Sequence, residues 1–181
     1  MKKLIIFSLI TLLNSHLFSA VSQIETPPAS SNQMQSTDSS GSTQFENPPQ
    51  SDAEKRAEQQ LSAWLIEASK AAEDYVRLLD NGKYAESWTQ SAKLFQQTIS
   101  QNEWKTALEL ARKRLGGVKS RSLKDIRTAF DPKGLPAGAY MVVIYTTNFD
   151  RAPNTEELLT LMRESNGQWK VLTYQVTPGQ G

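Results

Sequence analysis

The chain has 181 residues, no cysteine, one histidine (His16) and a formal charge of +1 from 20 basic and 19 acidic side chains. Without cysteine there is neither a disulfide framework nor a thiol nucleophile, and one histidine leaves no zinc-ligand set, so no metal and no other cofactor is expected. The even charge balance argues against a nucleic-acid partner, which calls for a strong basic excess.

Residues 1–22 read as a secretory signal peptide. Lys2 and Lys3 precede the apolar run Leu4 to Leu13, and small residues around Ala20, Val21 and Ser22 follow it. That run is too short for a bilayer, which needs about 20 helical residues, so no stable membrane span is expected after cleavage. The predicted destination is the periplasm or the medium. Cleavage also removes His16, together with Lys2 and Lys3, taking the 20 basic residues to 18 against 19 acidic.

Residues 23–50 are rich in Ser, Thr, Pro and Gln and bracketed by Pro27-Pro28 and Pro48-Pro49. Such a stretch has too little apolar surface to offset chain entropy, and a disordered linker is expected. A single domain then spans residues 51–178.

The domain opens with helical signals. Ser51 and Glu54 have the spacing of a capping box, and Leu61, Trp64, Leu65, Ala68, Ala72, Tyr75, Leu78 and Leu79 recur with helical period up to Asn81-Gly82. A second helix is predicted from about Lys83 to Phe95. A third follows the Ser100/Glu103 capping box and carries Trp104, Ala107, Leu108, Ala111 and Leu115 up to Gly116-Gly117.

Extended patterns then take over. Val118 to Phe130, Tyr140 to Phe149, Thr155 to Glu164 and Gln168 to Val176 read as strands, with Asn166-Gly167 marking a tight hairpin. Helices first and consecutive strands afterwards predict an α+β fold, with two to three N-terminal helices on one face of a four-stranded antiparallel sheet.

A set of spaced residues gives a more specific likeness. It comprises Trp64-Leu65, Asp80-Asn81-Gly82-Lys83-Tyr84, Ser87-Trp88, Phe95, Trp104, Leu115-Gly116, Ser120-Arg121, Leu135-Pro136, Gly138-Ala139-Tyr140, Phe149, Glu157 and Gly167-Gln168-Trp169. With these, the chain resembles the bacterial domain-of-unknown-function family 4019 over about residues 61–176. Leu135-Pro136-Ala137 departs from the Pro-Gly-Ala-Pro expected in members. The element order is more loosely similar to cystatin-like and nuclear-transport-factor-like cones. The resemblance implies an exported bacterial domain and leaves its chemistry open.

Three sets of side chains are candidates for function. Glu157 alternates with Leu159 and Leu161 on a strand face expected to be buried, where an ionised carboxylate needs a partner, and Arg121 is the predicted one. A ligand site could form from Glu157, Arg121, Tyr84, Trp88 and Tyr174, or the pair could be purely structural. The basic run containing Arg112, Arg114, Lys119, Arg121, Lys124 and Arg127 could bind an anionic polymer through Arg112, Arg114 and Lys119. Alternation would put Arg121 and Arg127 on one strand face and Lys124 on the other. Trp64 and Trp104 sit on helical stripes and are expected in the core.

No phosphate loop, calcium loop or nucleophile elbow is present. An acid/base enzyme would have to use Asp74, Asp80 or Glu157 with Tyr84 or Tyr174 in the sheet concavity, and no spacing selects such a set. The expected function is therefore a non-catalytic envelope domain that binds another envelope protein or a small ligand. Acid/base catalysis and anionic-polymer binding are the alternatives.

Overall fold

The computed structural model describes residues 51–177. The predicted signal peptide and linker lie outside the described residues.

Four helices precede the sheet: α1 (Asp52–Asp80), α2 (Tyr84–Gln90), α3 (Lys93–Thr98) and α4 (Gln101–Leu115). Both predicted capping boxes form. Ser51 and Ser100 each accept from the backbone N–H three residues on, and Glu54 and Glu103 reach back to the cap backbone. Gly82, at φ 70°, lets the Lys83 N–H return to the Leu78 carbonyl and close α1.

The predicted single helix over 83–95 is two. Ser91 and Ala92 are extended, because the Ala92 N–H is taken by the Val171 carbonyl of the sheet (2.9 Å). Gln96 then donates to the Trp88, Thr89 and Ser91 carbonyls that the break exposes. A long-range bond outweighs a continuous helical pattern here.

The sheet runs β1 (Val118–Phe130), β2 (Ala139–Phe149), β3 (Thr155–Arg163) and β4 (Trp169–Thr177), antiparallel in that order. At the β3–β4 turn Gly167 takes φ 83° and donates to Glu164. Asn166 stays at negative φ, so the pair does not form the two-residue turn that needs positive φ at both positions.

Helices and sheet enclose one main core, with Trp104 at its centre. Phe95 and Tyr174 meet Trp104 edge-on, at 5.0 and 6.4 Å between ring centres, and Trp104 Nε1 donates to Ser87 Oγ. Edge-to-face pairs add roughly 1 kcal/mol each beyond the area they bury. Trp64 is only half-buried. It lies on the rim between Phe130, Trp169 and Arg163 rather than inside.

Strand β1 is bulged at Lys124, between the pairs Leu123–Tyr145 and Asp125–Ile144. One inserted residue inverts the alternation beyond it. Arg121 therefore faces the helices with its register partner Thr147, while Arg127 pairs with Val142 on the outer face. The expected shared face of Arg121 and Arg127 is corrected by that bulge.

Candidate functional site

Glu157 stands in the middle of the sheet, on the helix-facing side, with no exposed surface. Each of its neighbours comes from a different element. Arg121 of β1 donates Nε to Oε2 at 2.6 Å, and Thr147 of β2 donates to the same oxygen at 2.5 Å. Tyr174 of β4 donates its hydroxyl to Oε1 at 2.5 Å. Arg112, in the last turn of α4, brings Nη2 to 3.5 Å from Oε1. All four strands and one helix end converge on this carboxylate.

A second carboxylate closes the set. Asp80 is the last residue of α1, where a negative charge opposes the helix dipole. Two guanidiniums offset that cost. Arg121 grips Asp80 with both terminal nitrogens (2.6 and 3.0 Å), and Arg112 Nη1 lies 3.0 Å from it. Arg121 thus bridges the two acids. Two cations and two anions leave the cluster neutral.

Burial works against both guanidinium charges. For Arg121, hydrogen bonds to Asp80 and Glu157 more than offset it and raise the pKa. For Arg112, Tyr174, Glu157 and Asp80 do the same. Burial, with the Glu157 carboxylate beside it, also holds the Tyr174 hydroxyl well above its ordinary value of 10.0. Tyr174 is therefore a neutral donor at physiological pH.

Only the margin of the cluster reaches solvent. The side chains of Asp80, Arg121 and Arg112 are 26%, 14% and 9% exposed. Half-buried Tyr84 stands near this margin, and burial raises its pKa against the opposing Arg112 charge. Trp88, the remaining member of the predicted ligand set, is turned away, its indole N–H donating to the Ile99 carbonyl at 2.8 Å.

The predicted anionic-binding strip does not hold together. Arg112 is inside the cluster rather than on the surface, because the α4 C-terminus points it at Glu157 and Asp80. Lys119 lies 3.8 Å from Asp150, Lys124 pairs with Glu156, and Arg127 with Asp125. Arg114 is exposed, well separated in role from its predicted partner Arg112.

Sequence reasoning paired Glu157 with Arg121 but missed the parts played by Asp80, Arg112 and Thr147. Asp80 carried a usable signal, since an acid at a helix C-terminus implies a cation nearby. Thr147 carried none. An open groove of about 430 Å³ lies elsewhere, between α1 and the β3–β4 hairpin, lined by Lys70, Asp74, Trp169 and Lys170 among others and by no member of the cluster. Among the described residues no group of His, Cys, Asp and Glu could hold a metal ion, and no helix is long and apolar enough to cross a membrane.

Residues 71–174 match the family model described as Protein of unknown function (DUF4019). The chain belongs to that family. The matched span contains all of Asp80, Arg112, Arg121, Thr147, Glu157 and Tyr174, and leaves out the first part of α1. No curated protein and no solved structure matches the chain.

Proposed function

We propose that this member of the DUF4019 family is an exported, non-catalytic domain that binds another envelope protein through its surface. The observation that carries this reading is the enclosure of Glu157. An acid/base carboxylate must come within hydrogen-bond reach of a substrate proton. Both Glu157 oxygens are instead occupied by Arg121, Thr147 and Tyr174, with no exposed surface left. Of the two other acids weighed for catalysis, Asp80 is held by Arg121 and Arg112, and Asp74 forms helix-surface pairs with Lys70 and Arg77.

The surface offers an apolar contact in its place. Leu123 and Phe130, 53% and 59% exposed, lie on edge strand β1 on the helix-facing side, with half-buried Ile126 between them. Helix α1 packs mainly on β2, β3 and β4 and reaches this strip at its Phe130 end through Trp64, and Leu123 stays exposed. An edge strand bearing exposed large hydrophobics is a docking surface for a protein partner.

The test is photo-crosslinking in cells, with a crosslinking amino acid at Leu123 or Phe130 and mass spectrometry of the products. One reproducible envelope protein, lost when the reporter is moved to Lys105 on α4, is the expected outcome. Equal products from both positions would remove the reading. The Glu157→Gln variant, if folded, should keep the crosslink, because the cluster is placed here in the scaffold and not in the binding surface.

A further inference from the structure

Strand β4 is an edge of the sheet, and one position on its free edge is already paired. Ser91 and Ala92 are extended between α2 and α3, and the Ala92 N–H donates to the Val171 carbonyl at 2.9 Å. In an antiparallel ladder both polar groups of a residue point to one side, and every second residue points the same way. Val171 therefore fixes the direction of Trp169, two residues earlier, whose N–H and carbonyl also face the free edge. Gln168 agrees with this phase, since its carbonyl faces β3 and accepts from the Glu164 N–H. No described residue takes the Trp169 backbone pair.

Trp169, Lys170 and Val171 also line the open groove of about 430 Å³ beside α1, a volume within the roughly 300–1,000 Å³ of small-ligand sites. Opposite charges stand on its two sides, Glu67 on α1 and Lys170 on β4. Neither has an ion-pair partner among the described residues, whereas Lys70 and Asp74 on the α1 side pair with each other at 2.9 Å. We propose that this groove binds a short extended peptide with free termini. One peptide residue pairs with the Trp169 backbone as an added strand, at the edge position next to the one Ala92 holds. The ammonium end meets Glu67 and the carboxylate end meets Lys170. A single amino acid would match the charges but has no peptide N–H to offer the Trp169 carbonyl. A neutral sugar would leave both charges unpaired.

The test is a titration of trialanine into the isotope-labelled protein, followed through backbone amide NMR signals. Those of Gln168, Trp169 and Lys170 should shift and saturate. Trialanine acetylated at one end and amidated at the other, which carries no charge, should bind about fivefold more weakly. N-methylation of its central residue, which removes the backbone donor, should weaken binding to a similar degree. Glu67→Gln and Lys170→Ala should each reproduce part of the loss with trialanine. No saturable shift at millimolar peptide, or equal binding by the charged, blocked and N-methylated peptides, would overturn the proposal. So would shifts centred on Leu123 and Phe130, which would put the peptide on β1. The titration reads the β4 groove and the crosslinking reads the β1 strip, so the two proposals can fail separately.

Discussion

Tyr174 donates a 2.5 Å hydrogen bond to Oε1 of Glu157, diagonally across the β3–β4 ladder, and neither side chain is more than 3% exposed. The bond satisfies a buried oxygen that Arg112, at 3.5 Å, reaches less closely. Burial at the centre of a sheet is where removing one member of a charge pair costs most, because the partner charge stays behind without solvent.

Replacing Glu157 with Gln should therefore destabilise the fold by about 3 kcal/mol, the cost of leaving Arg121 and Arg112 short of a counter-charge. Urea unfolding of the purified variant measures it. An unchanged midpoint would show that Glu157 and Arg121 are not coupled. Arg121→Lys should cost roughly 2 kcal/mol, since an ammonium cannot bridge Glu157 and grip Asp80 with three separate nitrogens.

Alkaline pH should weaken the fold through two tyrosines. Tyr174 is raised well above 10.0 by burial and by Glu157, and burial likewise raises Tyr75, whose hydroxyl is paired with Ser91. A raised folded-state value means the native state holds the proton more tightly than the unfolded chain. The stabilisation is full below pH 10 and is lost as pH climbs from there toward the folded values. Melting temperature should fall from pH 9 to 11, and less steeply in Tyr174→Phe measured against its own neutral-pH value. Parallel slopes would exclude Tyr174 as a contributor.

The two capping boxes should differ in their effect. Ser100→Ala removes a cap from α4, a helix that buries Trp104 and Leu108, and should cost about 1 kcal/mol of global stability. Ser51→Ala should leave the global midpoint unchanged, because residues 51–60 are all exposed and the start of α1 can fray alone. Hydrogen exchange would then speed up only over the first turns of α1. A global loss for Ser51→Ala would show that this stretch is packed after all.

Two helix-ending glycines give a further contrast. Gly82 and Gly116 both take positive φ, 70° and 82°. A Cβ at Gly82 meets nothing within 4 Å, so Gly82→Ala should cost only about 1 kcal/mol of backbone strain. At Gly116 the added Cβ would lie 2.8 Å from Asp150 Cβ. Asp150 also accepts from the Gly117 N–H, which holds it in place. Gly116→Ala should therefore be the more damaging, and equal thermal shifts for the two would refute that.

Sequence by itself determined the elements. Helical and alternating periods, two capping boxes, Asn81-Gly82, Gly116-Gly117 and Asn166-Gly167 are local signals, and they set α1, α4 and all four strands to within a residue or so. The same alternation predicted that Glu157 faces inward with Leu159 and Leu161. Tertiary structure decided the rest, because it depended on bonds between segments distant in the chain. The Val171 carbonyl drew out the Ala92 N–H and divided one predicted helix in two. A bulge at Lys124, set by pairing with β2, separated Arg127 from Arg121 and dispersed the basic strip. Arg112, expected in an anion-binding surface strip, turned inward because Glu157 and Asp80 meet only once the sheet closes against α1 and α4. The sequence could propose a partner for Glu157. Only the packed sheet and helices could supply four and leave the carboxylate no path to solvent.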